Sequence, residues 1–548
     1  DTHLKGDTAL TAFSQSQITV NGNLETDSKT AVLTRGNATV SINESGSSTV
    51  KLTGDVSFNY DADTSGTTTD ATVNINLSNA DSYWVGNSKT SVDSGTPAAG
   101  MRTGKLNLAL SNGASWTPTK VDSSVKDSRA EALNSVKLSG GVINLTSEGP
   151  ESVDIKSLSG HGTVNAAVTK ADGALKAAGA LNIQSGESRL DIVAQGITAD
   201  DVADDAQLSA ISGVVRRGDD ASITTTATVQ EGLVKGKIIQ TTDASGKTAT
   251  SQGANSKLAS LGSLGVAGLL AWRHETNDLT KRMGELRDSP EGIGGWVRLY
   301  GSEQEYARRG LTSKSTSVQA GSDFSVGGGW KVGGAFSYTD GSASLANGSA
   351  DNDAWSLAGY GTWMAENGLF VDLIAKYGRL ASDFTIASMK GKAKNNAYSA
   401  SVEAGWHLPV SQYGFIEPQA ELTYGAVQGD DFTTSSGVLV SQDDAKSLVG
   451  RLGVRAGLHF PEKKGTVYAR ASILHDFKGD SQFTASLASN SAVRSTVQDD
   501  IGGTYYEMGL GASFNWTKSA STYLDLERQG GGEVKENWRW NAGFRYVW

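Results

Sequence analysis

The sequence contains no cysteine, which excludes disulfide frameworks and thiolate metal sites. Cysteine-free chains are common among proteins that cross an oxidising periplasm unfolded. Proline is scarce, at 7 of 548 residues, whereas glycine reaches 66. With abundant Ser, Thr, Asn and Asp, that balance predicts many short strands and turns. Basic tracts are missing and the net charge is −11, so the basic surface that phosphate contacts require is not available and no nucleic-acid partner is expected. No run of 18 apolar residues occurs, and the longest candidate, Leu261 to Trp272, is short and holds three glycines. A transmembrane helix is therefore not expected. The mean hydropathy of −0.30 still allows a membrane barrel, in which only alternate strand residues meet lipid. The length exceeds one ordinary domain. No signal-peptide pattern opens the chain at Asp1, so an exported form is expected to have lost one or to continue upstream.

Residues 1 to about 250 are poor in aromatics and rich in short alternating runs, such as ATVSI (38–42), ATVNINL (71–77), KLNLAL (105–110) and GTVNAAV (162–168). Each is a strand signal bounded by Gly, Ser, Asn or Asp. Their spacing suits a β-solenoid or a β-sandwich, and periodicity alone leaves both open. From residue 255 the pattern becomes helical. Leu279, Met283 and Leu286 fall at helical spacing, with Lys281, Arg282 and Arg287 among them. Pro290 and Gly292 then break the helix.

From Gly294 the alternation lengthens and turns aromatic. Twelve segments of about 9–13 residues begin near Gly295, Ser315, Trp330, Asp353, Leu369, Asn396, Gly414, Lys446, Thr466, Thr504, Ser521 and Lys535, the length a tilted strand needs to cross a bilayer. In 370–379, Val371, Leu373, Ala375 and Tyr377 oppose Asp372 and Lys376. Similar splits set Glu403, Glu421 and Glu507 against apolar neighbours, and Trp538, Phe544, Tyr546 and Trp548 against Arg539, Asn541 and Arg545. Lipid is expected on the apolar face and a wet lumen on the charged one, with aromatics at the bilayer interfaces. A soluble sandwich also alternates, but strand length, count and aromatic content favour the barrel. Three domains result: 1–254 as a β-segment, 255–291 as a helical linker, and 292–548 as the barrel.

Other chemistry finds little support. Asp200-Asp201 and Asp204-Asp205 lack calcium-loop spacing, the six histidines include no i, i+4 pair, and Gly327-Gly328-Gly329 leads into another strand, unlike a phosphate loop. No metal or cofactor is expected.

Several stretches in order resemble the autotransporter β-domain of type V secretion: the helix Asn277 to Asp288, the first strand Gly295 to Gly301, Gln319 to Asp323, Ile416 to Tyr424, Gly450 to Arg455, and the terminal Phe544-Arg545-Tyr546-Val547-Trp548. More weakly, 106–116, 136–145 and 155–164 resemble the last rungs of a pertactin-like solenoid, including its autochaperone region. The resemblance implies an all-β chain: a right-handed parallel β-helix passenger end, a pore-threading helix and a 12-stranded antiparallel barrel. It further implies an outer-membrane translocator that secretes or displays its own passenger, with an adhesin or aggregation role and with virulence. Its expected partners are outer-membrane lipid, the host barrel-assembly machinery reading Phe544, Tyr546 and Trp548, periplasmic chaperones and an extracellular ligand of the passenger. The chain is expected to be a monomer. Lys281, Arg282 and Arg287 would face the lumenal acids Asp372, Glu403, Glu421 and Glu507. In family members that cut themselves, an Asn in this helix cyclises; the matching bond here is Asn277–Asp278, with those acids as candidate proton-handling groups. The closest self-cleaving pattern has Asn where this chain has Asp278. A plain porin, or a carrier of a catalytic passenger upstream, are the alternative functions.

Overall fold

The computed structural model describes residues 1–61, 71–94, 104–122, 128–288 and 292–548, with the backbone alone at 60–61, 92–94, 276–288 and 463. These form two compact units, Asp1–Ala254 and Asn255–Trp548.

In the first unit most strands pair in parallel with a strand a few tens of residues away. Thr2 faces Leu24, Leu24 faces Val50, Thr72 faces Lys105 and Leu181 faces Val215. Parallel pairing between near-successive strands, each stacked on the last, is the ladder of a β-solenoid and not of a sandwich. Alternate residues fill the interior: Val73, Ile75 and Leu77 of one rung lie beneath Leu106, Leu108 and Leu110 of the next, all buried. Polar groups stack likewise. Asn134 donates to Asn107 (2.7 Å) and Asn107 to Asn74 (2.9 Å), so side-chain amides continue the ladder. Trp84 and Trp116 stack with centroids 5.4 Å apart, each indole N–H capped by a backbone carbonyl. The end of the unit departs from the expected rungs. Val215–Val229, Ile238–Thr242 and Thr248–Gln252 pair antiparallel, beside a short helix, Asp205–Ser212. A final rung has no further rung to cover its edge, and folding the chain back on itself supplies one. The Asp200 carboxylate, weighed above as a calcium turn, accepts the N–H groups of Leu233, Val234 and Lys235 and so fixes the loop between those strands.

In the second unit twelve strands close a barrel: β1 (Ile293–Tyr306), β2 (Leu311–Gly327), β3 (Trp330–Leu345), β4 (Gly348–Met364), β5 (Leu369–Ile386), β6 (Met389–Trp406), β7 (Gly414–Val427), β8 (Ala445–His459), β9 (Gly465–Asp476), β10 (Gly503–Asn515), β11 (Ala520–Gly530) and β12 (Lys535–Val547). Each pairs antiparallel with the next, and β12 pairs with β1, leaving no free edge. The strands run to 18 residues, longer than expected, because at one end of the barrel several of them continue as hairpins beyond the 9–13 residues counted from the sequence. Tight turns join them at the other end. Gly327, Gly328 and Gly329 all have positive φ (89°, 62° and 83°), which only glycine adopts freely three times in succession. Burial is inverted relative to a soluble protein. Leu452, Ile473, Met508 and Leu510 face outward and are more than half exposed, whereas Arg298, Asp372, Glu403 and Glu507 face inward and are buried. That is the pattern of a barrel in lipid. A small antiparallel sheet (431–433, 438–442, 480–487 and 490–500) rises from the β7–β8 and β9–β10 connections.

Candidate functional site

The barrel encloses a helix, Ser256–Asp288. No described helix is long and apolar enough to cross a membrane, and this one solves its burial differently. Its apolar half, Leu258 to Trp272, is buried against the barrel mouth and the small sheet, where Gly262 lies against Phe483 and Val497. Its next turn is polar and meets the wall on several sides. Tyr300 and Ser302 of β1, Ser317 of β2, Ser337 and Thr339 of β3, Ser356 of β4, Lys376 of β5, Tyr398 of β6, Ser447 of β8 and Asp476 of β9 all bond residues 272–275. A single helix can be bonded from so many strands only from inside.

Glu275 is the centre of this contact. Its carboxylate accepts from Tyr300 (2.8 Å), Ser337 (2.8 Å), Ser356 (2.9 Å), Ser317 (3.4 Å) and Thr339, and pairs with Lys376 Nζ at 2.6 Å. The same ammonium donates to the Glu275 carbonyl (2.8 Å) and lies 5.6 Å from the Trp272 ring. Both side chains of the pair are almost fully buried. Such a charge is tolerated only when its lone pairs are satisfied, and here hydroxyls from four strands do so. Trp272 donates to the Tyr398 carbonyl at 3.1 Å. Arg273 bonds Asp476, and His274 bonds Ser302 at 2.8 Å.

The four wall acids singled out from the sequence all point inward. Register places three of them side by side: Asp372 faces Glu403 across β5–β6, Glu403 faces Glu421 across β6–β7, and Glu421 faces Arg451 across β7–β8. Arg451 reaches both glutamates at 2.6 Å. Asp372 accepts from Thr362 at 2.5 Å, and Glu507, further round the wall, accepts from Gln529 at 2.9 Å. Arg451→Met is expected to strand two buried carboxylates at a cost of about 3–5 kcal/mol, seen as a lower temperature for the loss of the folded barrel's gel mobility. The side chains of Asn277, Asp278, Lys281, Arg282 and Arg287 lie outside the described residues. Phe544, Tyr546 and Trp548 face outward at the barrel seam, the last two in edge contact at 5.4 Å. The sequence reading missed Glu275. It looked for helix cations against wall acids, whereas this contact has the opposite sign. Lys376, alone among acids and hydroxyls on its wall face, was the available signal.

A closed twelve-stranded barrel around a polar-locked helix has one further match in the chain itself: the family model described as autotransporter beta-domain fits residues 295–527. This barrel belongs to the autotransporter β-domain family. As such it is an outer-membrane barrel. The pertactin autotransporter of Bordetella bronchiseptica is 32% identical over 302 residues, covering 52% of this chain and 32% of that one. The serine protease pet autotransporter of Escherichia coli O44:H18 is 31% identical over 310 residues, covering 55% and 23%. The chain thus spans a third or less of the length of these autotransporter relatives. Among solved structures, the translocator domain of autotransporter NalP from Neisseria meningitidis aligns with a TM-score of 0.44 at 14% identity, over 51% of this chain and 96% of that one.

Proposed function

We propose that the barrel exports the chain's own N-terminal unit to the cell surface, and that the helix is what remains in the pore afterwards. The observation that carries this reading is the covalent order: a solenoid, then a helix bonded inside a closed barrel, in one chain. A plain porin needs neither the lumenal helix nor the upstream unit. A solenoid suits export, because each rung can fold on the one before it without the rest of the chain. Adhesion or aggregation is the passenger role proposed, with an extracellular ligand as its partner. The barrel-assembly machinery, recognising Phe544, Tyr546 and Trp548, and periplasmic chaperones are the proposed assembly partners. On intact cells, added protease is expected to remove residues before the helix and leave a membrane-embedded barrel. Protection of the whole chain until the outer membrane is opened would contradict the reading.

We further propose Asn277–Asp278 as the bond at which the passenger is released. The Asn277 amide nitrogen attacks its own carbonyl carbon, a succinimide ring forms, the bond to Asp278 breaks, and a proton reaches the departing amine. Supporting this, the bond lies just past Glu275 on the helix, where the chain is gripped by the wall. Asp372 is four residues along β5 from Lys376, about 10 Å along the barrel axis for a strand tilted by about 40°. By helical rise it is level with residues near Lys281 and Arg282, which suits the proposed ion-pairing of those cations and leaves Glu421 or Glu507 for the proton. Intact-mass analysis decides the matter. A fragment beginning at Asp278 in the wild type but not in Asn277→Ala supports cleavage; two whole chains would mean permanent tethering.

A further inference from the structure

The outward face of β5 and β6 carries a run of basic side chains beyond its apolar residues. Going up β6 from its membrane end, the outward residues are Trp406, Ala404, Val402, Ala400, Tyr398, Asn396, Lys394, Lys392 and Lys390, all exposed. A strand tilted by about 40° climbs about 2.5 Å per residue. Trp406 and Tyr398 are therefore about 20 Å apart, close to the apolar band of an outer-membrane barrel, and mark its two aromatic belts. Trp355 and Tyr377, packed edge to face at 6.0 Å on β4 and β5, extend the upper belt. Arg379 stands one step above Tyr377, opposite Asn396. Lys394 then lies about 10 Å above the upper belt and Lys390 about 20 Å above it. These are the levels of lipid headgroups and of the sugars beyond them.

We propose that Arg379, Lys390, Lys392 and Lys394 form a docking surface for the phosphorylated headgroup of a glycolipid in the outer leaflet. Lysines at alternate positions of one strand share one face, so three ammonium groups line a ridge that continues directly from lipid-contacting residues. Lys392 pairs with Asp383 at 2.8 Å, but both side chains are more than half exposed, and a phosphate can join that pair. Among the described residues, neither Arg379, Lys390 nor Lys394 has an ion-pair partner. The Asp430 carboxylate is engaged by the Lys394 backbone N–H at 2.7 Å. On the far side Asp340, Asp351 and Asp353 face outward from β3 and β4, with Asp353 accepting from Tyr338 at 2.8 Å. They repel phosphate there and confine the headgroup to the β5–β6 side. The occupant is a phosphate-bearing glycolipid and not a generic anionic phospholipid, because the ridge extends well above the glycerol level. A headgroup with phosphates on sugars reaches that height, and phosphatidylglycerol does not.

The test is native mass spectrometry of the full folded chain with three probes: diphosphoryl lipid A, its dephosphorylated form and phosphatidylglycerol. Wild type is expected to retain the diphosphoryl lipid preferentially. The Lys390→Gln/Lys392→Gln/Lys394→Gln chain is expected to lose about a hundredfold in that affinity, from about tenfold or less per lysine near an anionic surface. Lys518→Gln, in the turn at the opposite end of the barrel, is expected to leave it unchanged. The Lys→Arg triple variant should bind as wild type and guards against a folding defect. Equal binding of all three lipids by wild type, undiminished binding by the Gln triple variant, or an equal loss in Lys518→Gln would overturn the proposal and leave the ridge a solvated face.

Discussion

Glu275→Ala is expected to yield a barrel that reaches the membrane but no longer holds its plug. The substitution removes the acceptor for five hydroxyls and leaves Lys376 buried without its counter-charge. Breaking one side of a buried pair costs about 3–5 kcal/mol. Single-channel recording in planar bilayers should show long open states where the wild type is nearly silent. The paired change Glu275→Leu/Lys376→Met separates charge from fit. If the unpaired ammonium is the cause, the double variant is less leaky than Glu275→Ala, since replacing both partners with apolar groups removes the uncompensated charge. If both variants are as tight as wild type, the apolar half of the helix alone holds the plug.

The second large effect lies in the solenoid. Gly186→Ala is expected to destroy the corner it occupies. Gly186 has φ of 115°, and a Cβ placed there would stand 2.0 Å from the carbonyl oxygen of Leu158 on the preceding rung. The residue type is wrong for the backbone and the neighbour is rigid main chain, so the penalty is at least about 3 kcal/mol. Gly160, with φ of 90°, makes the same approach to Leu138 one rung earlier. Because each rung is the template for its neighbour, damage here should slow surface arrival of the N-terminal unit as well as its folding. Labelling of an introduced surface thiol measures arrival, and the protease dose needed to degrade the unit on intact cells measures folding. A Gly186→Ala chain that is degraded at a lower dose but arrives at the normal rate would mean that rung folding does not drive export. Gly173, whose added Cβ would meet nothing within 4 Å, is the control position despite its φ of 80°.

Most of the barrel was legible because bilayer physics writes it into the period of the sequence. Val371, Leu373 and Tyr377 against Asp372 and Lys376 fixed the two faces of β5 before any pairing was known. Nine strand starts agree to within two residues, whereas β2, β4 and β6, expected near Ser315, Asp353 and Asn396, begin at Leu311, Gly348 and Met389. The solenoid was less legible: ATVNINL predicts a strand in any β fold, and only the resemblance favoured parallel rungs. The antiparallel end of that unit and the small four-stranded sheet were missed. Val438–Gln442 and Asp480–Leu487 are too short, and too mixed in pattern, to separate from loops without their partner strands. The Glu275 cage was invisible for another reason. Its donors, Tyr300, Ser317, Ser337, Thr339, Ser356 and Lys376, come from five strands, and each taken singly is an ordinary lumenal polar residue.

The absence of cysteine makes the central claim directly measurable, because any introduced thiol is unique. Thr250→Cys places one on an exposed strand of the N-terminal unit, and Lys518→Cys places one in a turn at the opposite end of the barrel from the hairpins. Intact cells expressing each chain with an export signal are treated with a membrane-impermeant maleimide. Export through the barrel predicts labelling of the Thr250→Cys chain and protection of the Lys518→Cys chain until the outer membrane is permeabilised. Protection of the Thr250→Cys chain in intact cells, with labelling only after permeabilisation, would place the N-terminal unit on the periplasmic side and contradict the account.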